Sequence, residues 1–287
     1  MRPVYDDARE HVLQSVEENP QTSTRELAQF FDISNSTAHK IMQDAGLHPY
    51  RLHTHQGLSG DDFESRLEYC EWALQQPDGF FQKIFYTGES IFRSTGVPYS
   101  TATHYWAANN PHWLRELDHQ RRCSVNCWGG VVDDRVIGPY FFEGAVTGAS
   151  YTRFLLEELP VLLEDLPLEL RHNMWFQQDG APPHFALQAQ NSAVELFHDR
   201  TIGRGRLLTR PWPPRCPDLT VMDFSFWGIV KDDVYATACD DCEEMKDRIR
   251  ASFRRLDGSQ AMRNATASAK TRMEMCFQEG GIRAIIR

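Results

Sequence analysis

The chain has 287 residues, 41% of them hydrophobic, so it can bury a sizeable core and hold a small domain beside a larger one. Its 30 basic and 40 acidic residues give a formal net charge of −10, which excludes a protein whose whole surface attracts nucleic acid. No apolar run approaches the length of a bilayer span, so we expect no membrane partner.

The first part of the chain predicts a compact unit of three helices over residues 6–18 and 24–45. Ser23 and Glu26 have the spacing of a capping box, which marks a helix start. Residues 32–34 form a turn between the second and third helices. Apolar residues recur at helical spacing on both sides of that turn, at Leu27, Ala28, Phe31, Ala38, Ile41 and Met42. This pattern is typical of a helix-turn-helix.

In a helix-turn-helix the second helix of the motif enters the major groove of DNA. The residues predicted to contact DNA are therefore Ser34, Asn35, Ser36, His39, Lys40 and, after the helix, Arg51. The alternative is a helical hairpin that only packs on its neighbour. Residues 1–76 carry 6 Lys and Arg against 13 Asp and Glu, whereas residues 199–287 carry 16 against 13. This acidic balance predicts weak DNA binding by the N-terminal unit.

The rest of the chain predicts an α/β domain. A polar stretch after Pro49 indicates a linker, and a helix over residues 61–75 is capped near Ser59. Strands are predicted at 83–87, 124–132, 136–142 and 174–178, and helices at 151–163, 183–197, 223–235 and 242–256. This order favours a mixed sheet flanked by helices, as in an RNase H-like domain. The predicted domains are 1–48 (all-α helix-turn-helix), 49–82 (linker and helix) and 83–287 (RNase H-like).

The 7 cysteines follow no regular spacing, which is typical of a reducing intracellular compartment. Cys239 and Cys242 form a CxxC pair, and Cys123 and Cys127 a CxxxC pair, so each could supply half of a zinc site. Because Cys239 and Cys242 stand among acidic residues at a predicted helix start, we expect ordinary free thiols there.

Two aspartates stand at junctions between elements. Asp179 closes a short apolar strand, and Asp223 opens an aromatic helix. Such carboxylates could converge on Mg²⁺, which is typically held by one or two carboxylates and substrate phosphate. Each also has a structural alternative, since Asp179 with Gly180 is a common turn pair and Asp223 suits a helix N-terminus. For His184 two roles stay open, contact with a phosphate and packing beside Pro183.

The stretches around these aspartates read QQDGAPPH (residues 177–184) and WPPRCPDLTVMDFSFWG (residues 212–228). They resemble the second and third acidic motifs of mariner-type transposases, the DDE/DDD recombinases that cut and rejoin DNA. The resemblance continues through residues 125–151 and 23–50, so it covers nearly the whole chain.

The resemblance implies an RNase H-like catalytic core that excises and integrates DNA with Mg²⁺ or Mn²⁺. It implies that Asp179 and Asp223 are catalytic residues and metal ligands. The implied partner is the DNA of transposon-end inverted repeats, together with a homodimer as a further partner, and the implied location is the nucleus. The family usually carries two helix-turn-helix units, and this chain begins at the second, so we expect an N-terminally shortened copy.

One part of the pattern differs. The family's first acid lies in a motif like F-S-D-E-x-x-F, and in the matching stretch, Phe85–Phe92, Gly88 holds the place of the aspartate. Glu89 is the one obvious substitute for the lost acid, but it matches the glutamate that follows in the family's motif. Because successive strand residues point to opposite faces, we expect Glu89 to point away from the metal site and to leave the first catalytic position vacant at Gly88.

The sequence therefore predicts a transposase-derived protein with impaired catalysis. A second hypothesis is a non-catalytic DNA-binding or dimerising protein that uses the old fold. A third is a residual nuclease in which Asp179, Asp223 and substrate phosphate hold one ion.

Overall fold

The computed structural model of the chain describes residues 3–19, 22–47, 57–94, 123–237, 239 and 241–283. The chain forms two compact units, residues 1–56 and residues 57–287. Among the described helices, none is both long enough and apolar enough to cross a membrane.

The N-terminal unit contains helices α1 (Pro3–Glu18), α2 (Thr24–Phe30) and α3 (Asn35–Asp44). The predicted capping box is confirmed, because Ser23 Oγ accepts from the Glu26 amide while the Glu26 carboxylate accepts from the Ser23 amide. The core of the unit consists of buried side chains at helical spacing, namely Val12, Leu27, Ala38 and Ile41. These contacts hold α2 and α3 in the predicted helix-turn-helix.

The larger unit is built on one six-stranded mixed sheet in the order β3-β2-β1-β4-β5-β6. The strands are β1 (Ile84–Arg93), β2 (Ser124–Val132), β3 (Arg135–Phe142), β4 (Trp175–Gln177), β5 (Thr201–Gly203) and β6 (Arg210–Pro211). Pairing is antiparallel from β3 to β1 and parallel from β1 to β6. The predicted mixed sheet is confirmed, with β1 longer than predicted and the short β5 and β6 not foreseen.

Helices flank both faces of this sheet. They are α4 (Gly60–Leu74), α5 (Gly148–Arg153), α6 (Leu159–Leu162), α7 (Leu168–Asn173), α8 (Leu187–Phe197), α9 (Trp227–Val234), α10 (Cys242–Leu256) and α11 (Gln260–Gln278). π-helical turns at Phe154–Glu158 and Met222–Phe226 lead into α6 and α9. α7 and α11 were not predicted from the sequence. Since α4 packs against α11, the helix predicted beside the linker lies within the larger unit.

Alternation along β1 divides the core into two layers. Ile84 and Tyr86 point into the layer that holds Met222, Trp227 and the inner sides of α10 and α11. Phe85 points into the layer beneath α5 and α8. Adjacent β1 residues therefore serve opposite faces of the sheet, which decides where Gly88 and Glu89 point.

Two cysteines differ from the sequence expectation. Cys123, just before β2, forms a disulfide with Cys242 at the start of α10. The expectation of free thiols is therefore wrong for this pair, because the fold places residues 119 positions apart side by side. Cys239 and Cys127 keep free thiols, so neither short motif acts as a paired unit.

A buried ion pair joins α4 to the segment that leads to Asp223. The fully buried guanidinium of Arg66 donates to both carboxylate oxygens of Asp218, at 2.6 and 3.0 Å, and its Nε donates to the Gly281 carbonyl at 2.7 Å. A bidentate arginine pair fixes orientation as well as distance. Arg66 thereby connects α4 to residue 218 and to the segment that follows α11.

We expect Asp218→Asn to lower the free energy of unfolding of the larger unit by about 3 kcal/mol, because it leaves a buried guanidinium without its counter-charge. Urea denaturation followed by tryptophan fluorescence measures the change. Asp247→Asn is the matched control, since Asp247 pairs with Arg250 at 74% side-chain exposure and its loss should change stability by less than ~1 kcal/mol. Equal effects of the two variants would contradict a stabilising role for the buried pair.

Candidate metal centre

The candidate site forms where β1 continues beyond the end of β4. The two strands pair in parallel from Ile84 opposite Trp175 to Tyr86 opposite Gln177, where β4 ends. Thr87 Oγ1 donates to the Gln177 carbonyl at 2.8 Å and closes this pairing. β1 then continues to Arg93, paired only with β2 among the described strands. The chain after Gln177 is therefore free to turn across the exposed side of β1.

That turn brings Asp179 close to Glu89 through one histidine. His184 Nδ1 lies 2.8 Å from Asp179 Oδ1, and His184 Nε2 lies 3.2 Å from Glu89 Oε1. One ligand atom from each of the three residues lies within 4.8 Å of the others. Among the described residues, no other such group of three or more His, Cys, Asp and Glu side chains occurs.

The expectation that Glu89 points away from the site is wrong. Glu89 contacts His184, so it shares the face of β1 that meets Asp179. Gly88 lies on the opposite face, where an added Cβ would stand 3.7 Å from Met222 Cβ and 3.7 Å from Trp227 Nε1. The alternation was correctly expected, but the face that bears the site is that of Glu89. The vacant acid position at Gly88 stays a prediction, and its face of β1 meets Met222, the residue before Asp223.

His184 is held by packing and by polar contacts. It lies in a short 3₁₀ turn, Pro182–Phe185, and its side chain is 1% exposed. The Tyr151 ring packs on the imidazole with 4.3 Å between ring centres, and the Tyr151 hydroxyl donates to Gln178 Oε1 at 3.0 Å. This environment fixes the imidazole orientation. Of the two roles left open for His184, simple packing beside Pro183 does not account for its two carboxylate contacts.

These contacts set the protonation of the group. Burial lowers the pKa of His184, but the Glu89 and Asp179 carboxylates outweigh it and raise that pKa to about 10. Burial raises the pKa of Asp179. His184 and the Ala181 amide, 2.9 Å from Oδ1, lower that pKa by more than burial raises it, so the net shift is downward. At neutral pH His184 is therefore protonated, and its imidazolium contacts both Asp179 and Glu89.

Asp223 completes the acidic group from the other side. It lies in the π-helical turn before α9 and shares a cleft of about 540 Å³ with Glu89, Trp227 and Lys231. The residue reaches solvent at the open side of this cleft, although protein surrounds its carboxyl group. Burial raises the pKa of Asp223 to about 7, the charges of Asp179 and Glu89 add to the increase, and Lys231 opposes it. Burial likewise lowers the pKa of Lys231.

The donor set fits a hard divalent cation. Glu89, Asp179 and Asp223 offer carboxylate oxygens, which Mg²⁺ and Mn²⁺ prefer over nitrogen or sulfur. Burial is the main cause of the raised pKa of Asp223, and the charges of Asp179 and Glu89 add to it, so a bound cation would favour the ionised carboxylate. The structure thus brings the two predicted aspartates into one electrostatic group and adds Glu89 and His184.

The predicted DNA-contacting residues lie on α3 and at its start. Ser34 caps the helix by accepting from the Thr37 amide at 3.0 Å. The others that the structure describes lie exposed, opposite the buried Ala38 and Ile41, namely Asn35, Ser36, His39 and Lys40. Arg51 lies outside the described residues.

From the sequence, Glu89 was expected to point away from the site, and no role was expected for Tyr151 or Lys231. Alternation in β1 places Phe85, Thr87 and Glu89 on one face and Ile84, Tyr86 and Gly88 on the other. Because Phe85 and Ile84 are both buried, the strand alone does not indicate which face bears the site. Nothing local to Tyr151 or Lys231 indicates the site, because both reach it through tertiary packing.

No protein-family model matches the chain, and no curated protein matches it. Solved structures do. The Mos1 transposase paired-end complex with left transposon end matches 96% of this chain and 80% of its own, with a TM-score of 0.70 and 16% identity. The Mos1 mariner paired end complex with Mn matches 95% of this chain and 78% of its own, at 0.70 and 17%. The catalytic domain of Mos1 mariner transposase matches 82% of this chain and 100% of its own, at 0.61 and 18%. The chain therefore has the fold of a mariner-type transposase, an N-terminal helical domain followed by an RNase H-like domain.

Proposed function

We propose that this chain is a transposase-type enzyme that cleaves DNA in a reaction dependent on Mg²⁺ or Mn²⁺. Glu89, Asp179 and Asp223 supply the carboxylates that hold the metal. The observation that carries this proposal is the convergence of Glu89 and Asp179 on His184 at the end of the β1–β4 pairing, with Asp223 facing them. Titratable groups with strongly shifted pKa values cluster at functional sites.

The solved structures with this fold support the proposal. They include a complex of Mos1 transposase with a transposon end and paired-end complexes with Mn and with Mg. DNA and a divalent cation are thus bound by proteins of this fold, and we extend both to this chain. The outer side of α3, with His39 and Lys40, is the proposed DNA-contacting surface of the N-terminal unit. A homodimer is proposed by the same extension.

The residues at the site have different proposed roles. A bound divalent cation would stabilise the developing charge on the attacking and leaving oxygens of a phosphodiester. His184 orients Glu89 and Asp179, because its two ring nitrogens contact one oxygen of each carboxylate. The remaining oxygens of the two residues are left as ligand atoms. Lys231 lies across the cleft from them, where its ammonium group can attract a phosphate.

The geometry favours retained over impaired catalysis. Impairment was expected because Gly88 was assigned to the metal face, whereas three carboxylates surround the site without it. A protein that only binds DNA has no need for three mutually repelling carboxylates. We therefore place the enzyme hypothesis ahead of the non-catalytic one.

The first test concerns Glu89. We expect the purified chain to nick supercoiled plasmid in Mn²⁺, and Glu89→Gln to reduce the rate at least about a hundredfold, or ~2.7 kcal/mol of barrier, by removing a ligand charge. Gly88→Ala is the matched control. It should keep near-normal activity, because its Cβ would meet Met222 and Trp227 at an ordinary 3.7 Å.

Gly88→Asp separates the two assignments of the first acid. We expect no gain in nicking, because the Cβ at position 88 would meet Met222 and Trp227, on the face of β1 opposite the contact between Glu89 and His184. If Gly88→Asp raises the nicking rate and Glu89→Gln leaves it unchanged, Gly88 holds the vacant acid position and Glu89 is not a metal ligand.

The second test concerns pH. The folded pKa of Asp223 is about 7, above its ordinary value, so its carboxyl group is largely protonated below that pH and ionised above it. A cation must displace this proton, so we expect Mn²⁺ affinity to rise several-fold from about pH 6 to about pH 8 and then to level off. Calorimetric titration measures it. Asp223→Asn should bind more weakly and flatten this rise, and an unchanged pH profile in that variant would exclude Asp223 as the titrating ligand.

A further inference from the structure

A second concave surface lies beside the metal centre. It is a cavity of about 410 Å³ within the larger unit, walled by α4, the 3₁₀ turn that carries His184, the loop after β5, and β6. Trp72, Phe185, Arg204 and Arg210 line it. Its volume falls within the range of about 300 to 1,000 Å³ that is usual for small-molecule sites.

The cavity adjoins the acidic group through two residues. Phe185 directly follows His184 in the chain and lines the cavity. Arg204 lies against the backbone beside Asp179, so closely that a Cβ on Gly180 would stand 2.2 Å from Arg204 Cδ. A side chain at position 180 would displace Arg204 from this position. A strand whose phosphate reaches Asp179 therefore has the cavity within reach of its neighbouring nucleotide.

The cavity walls are fixed in place. The buried Gln190 donates from Nε2 to the Phe185 carbonyl at 2.8 Å and accepts at Oε1 from the Leu207 amide at 3.2 Å. It thereby joins the turn that carries Phe185 to the loop that carries Arg204. On the other side, Trp72 packs edge-on against Phe80 and Trp175, each with 5.4 Å between ring centres. The site is thus formed before any ligand arrives.

The lining combines aromatic surface with positive charge. Phe185 leaves 56% of its surface exposed, so its ring is available for stacking. The Arg210 guanidinium stacks over the Trp72 ring at 4.7 Å. Arg204 and Arg210 are exposed, and neither forms an ion pair within the described part of the chain. Glu68 is the acidic residue that lines the cavity.

We propose that this cavity binds an unpaired nucleotide of the DNA strand held at the metal centre. Its base stacks on Phe185, and its flanking phosphates contact Arg204 and Arg210. Aromatic rings beside cationic side chains are the usual means of binding single strands without sequence preference. This inference rests on the proposed function and specifies how its substrate is positioned. An acidic peptide would use the arginines but not the exposed ring.

The experiment measures binding without cleavage, using the full chain in EDTA. The probes are a fluorescent thymidine strand of roughly 12 nucleotides and an abasic strand of equal length and charge. We expect the chain to prefer the thymidine strand roughly tenfold, or ~1.4 kcal/mol. Phe185→Ala and Phe185→Leu should both remove that preference. Phe185→Leu retains apolar bulk, and melting curves establish that each variant is folded.

Two matched controls separate the cavity from general effects. Phe277→Ala, which removes a ring 43% exposed on α11, should leave the preference for the thymidine strand unchanged. Arg204→Ala should weaken binding of both strands and reduce its salt dependence more than Arg206→Ala does, since Arg206 lies on the same loop but does not line the cavity.

The results have distinct meanings. A thymidine preference that survives in both folded Phe185 variants overturns the inference, as does a wild-type chain that binds the two strands equally. A polyglutamate peptide that competes as strongly as the thymidine strand also overturns it. If the strands fail to bind while plasmid nicking occurs, only this inference falls. If both fail, the proposed function falls with it.

Discussion

The site depends on the unequal lengths of two paired strands. β1 has 10 residues and β4 has 3, and their parallel pairing stops at Tyr86 and Gln177. Beyond that point β1 continues in the sheet through its pairing with β2, while the chain after β4 turns aside. Parallel strands end at a common edge, where ligand sites in α/β proteins usually form. Here that edge receives Glu89 from β1 and Asp179 from the turn.

Electrostatics then determines how the site behaves. The carboxylates of Glu89, Asp179 and Asp223 interact unfavourably, and the structure offsets this with His184 between Glu89 and Asp179 and with Lys231 near Asp223. Burial, with smaller contributions from Asp179 and Glu89, still raises the pKa of Asp223 to about 7. A bound cation would favour the ionised carboxylate. The cavity lined by Phe185 and Arg204 adjoins this site. The acidic group and the aromatic surface are therefore neighbours that occupy different places.

Much of the fold could be predicted from the sequence because its signals were local. The bounds of β2 and α10 agree with the prediction, and the Ser23 capping box follows from three residues of spacing. β5 and β6 are too short, at 3 and 2 residues, to show alternation. α11 does repeat at helical spacing, but several of its buried positions are small or polar, such as Ala265, Thr266 and Ala269, and these hid the pattern. The disulfide joins distant segments that no spacing indicates.

The site was predictable in part for the same reason. Asp179 and Asp223 stand at element ends that the sequence marks clearly, whereas Glu89 lies inside a strand. Alternation states that Gly88 and Glu89 face opposite ways, but it does not state which face is the core. That choice is made by Met222, Trp227 and His184, which come from distant parts of the chain.

Once it is known that Glu89 faces the site, the chemistry of the site can be compared with that of a chain that only needs to fold. A chain that needed only to fold would gain stability from an amide or apolar residue at position 223, because an ionised carboxylate there opposes two others. Lys231 offsets part of the cost of ionising Asp223, and a bound cation would offset more. Phe185 leaves 56% of its surface exposed, so its ring contributes less to the core than a buried ring would. The proposed function would use both residues, Asp223 to hold metal and Phe185 to stack on a base.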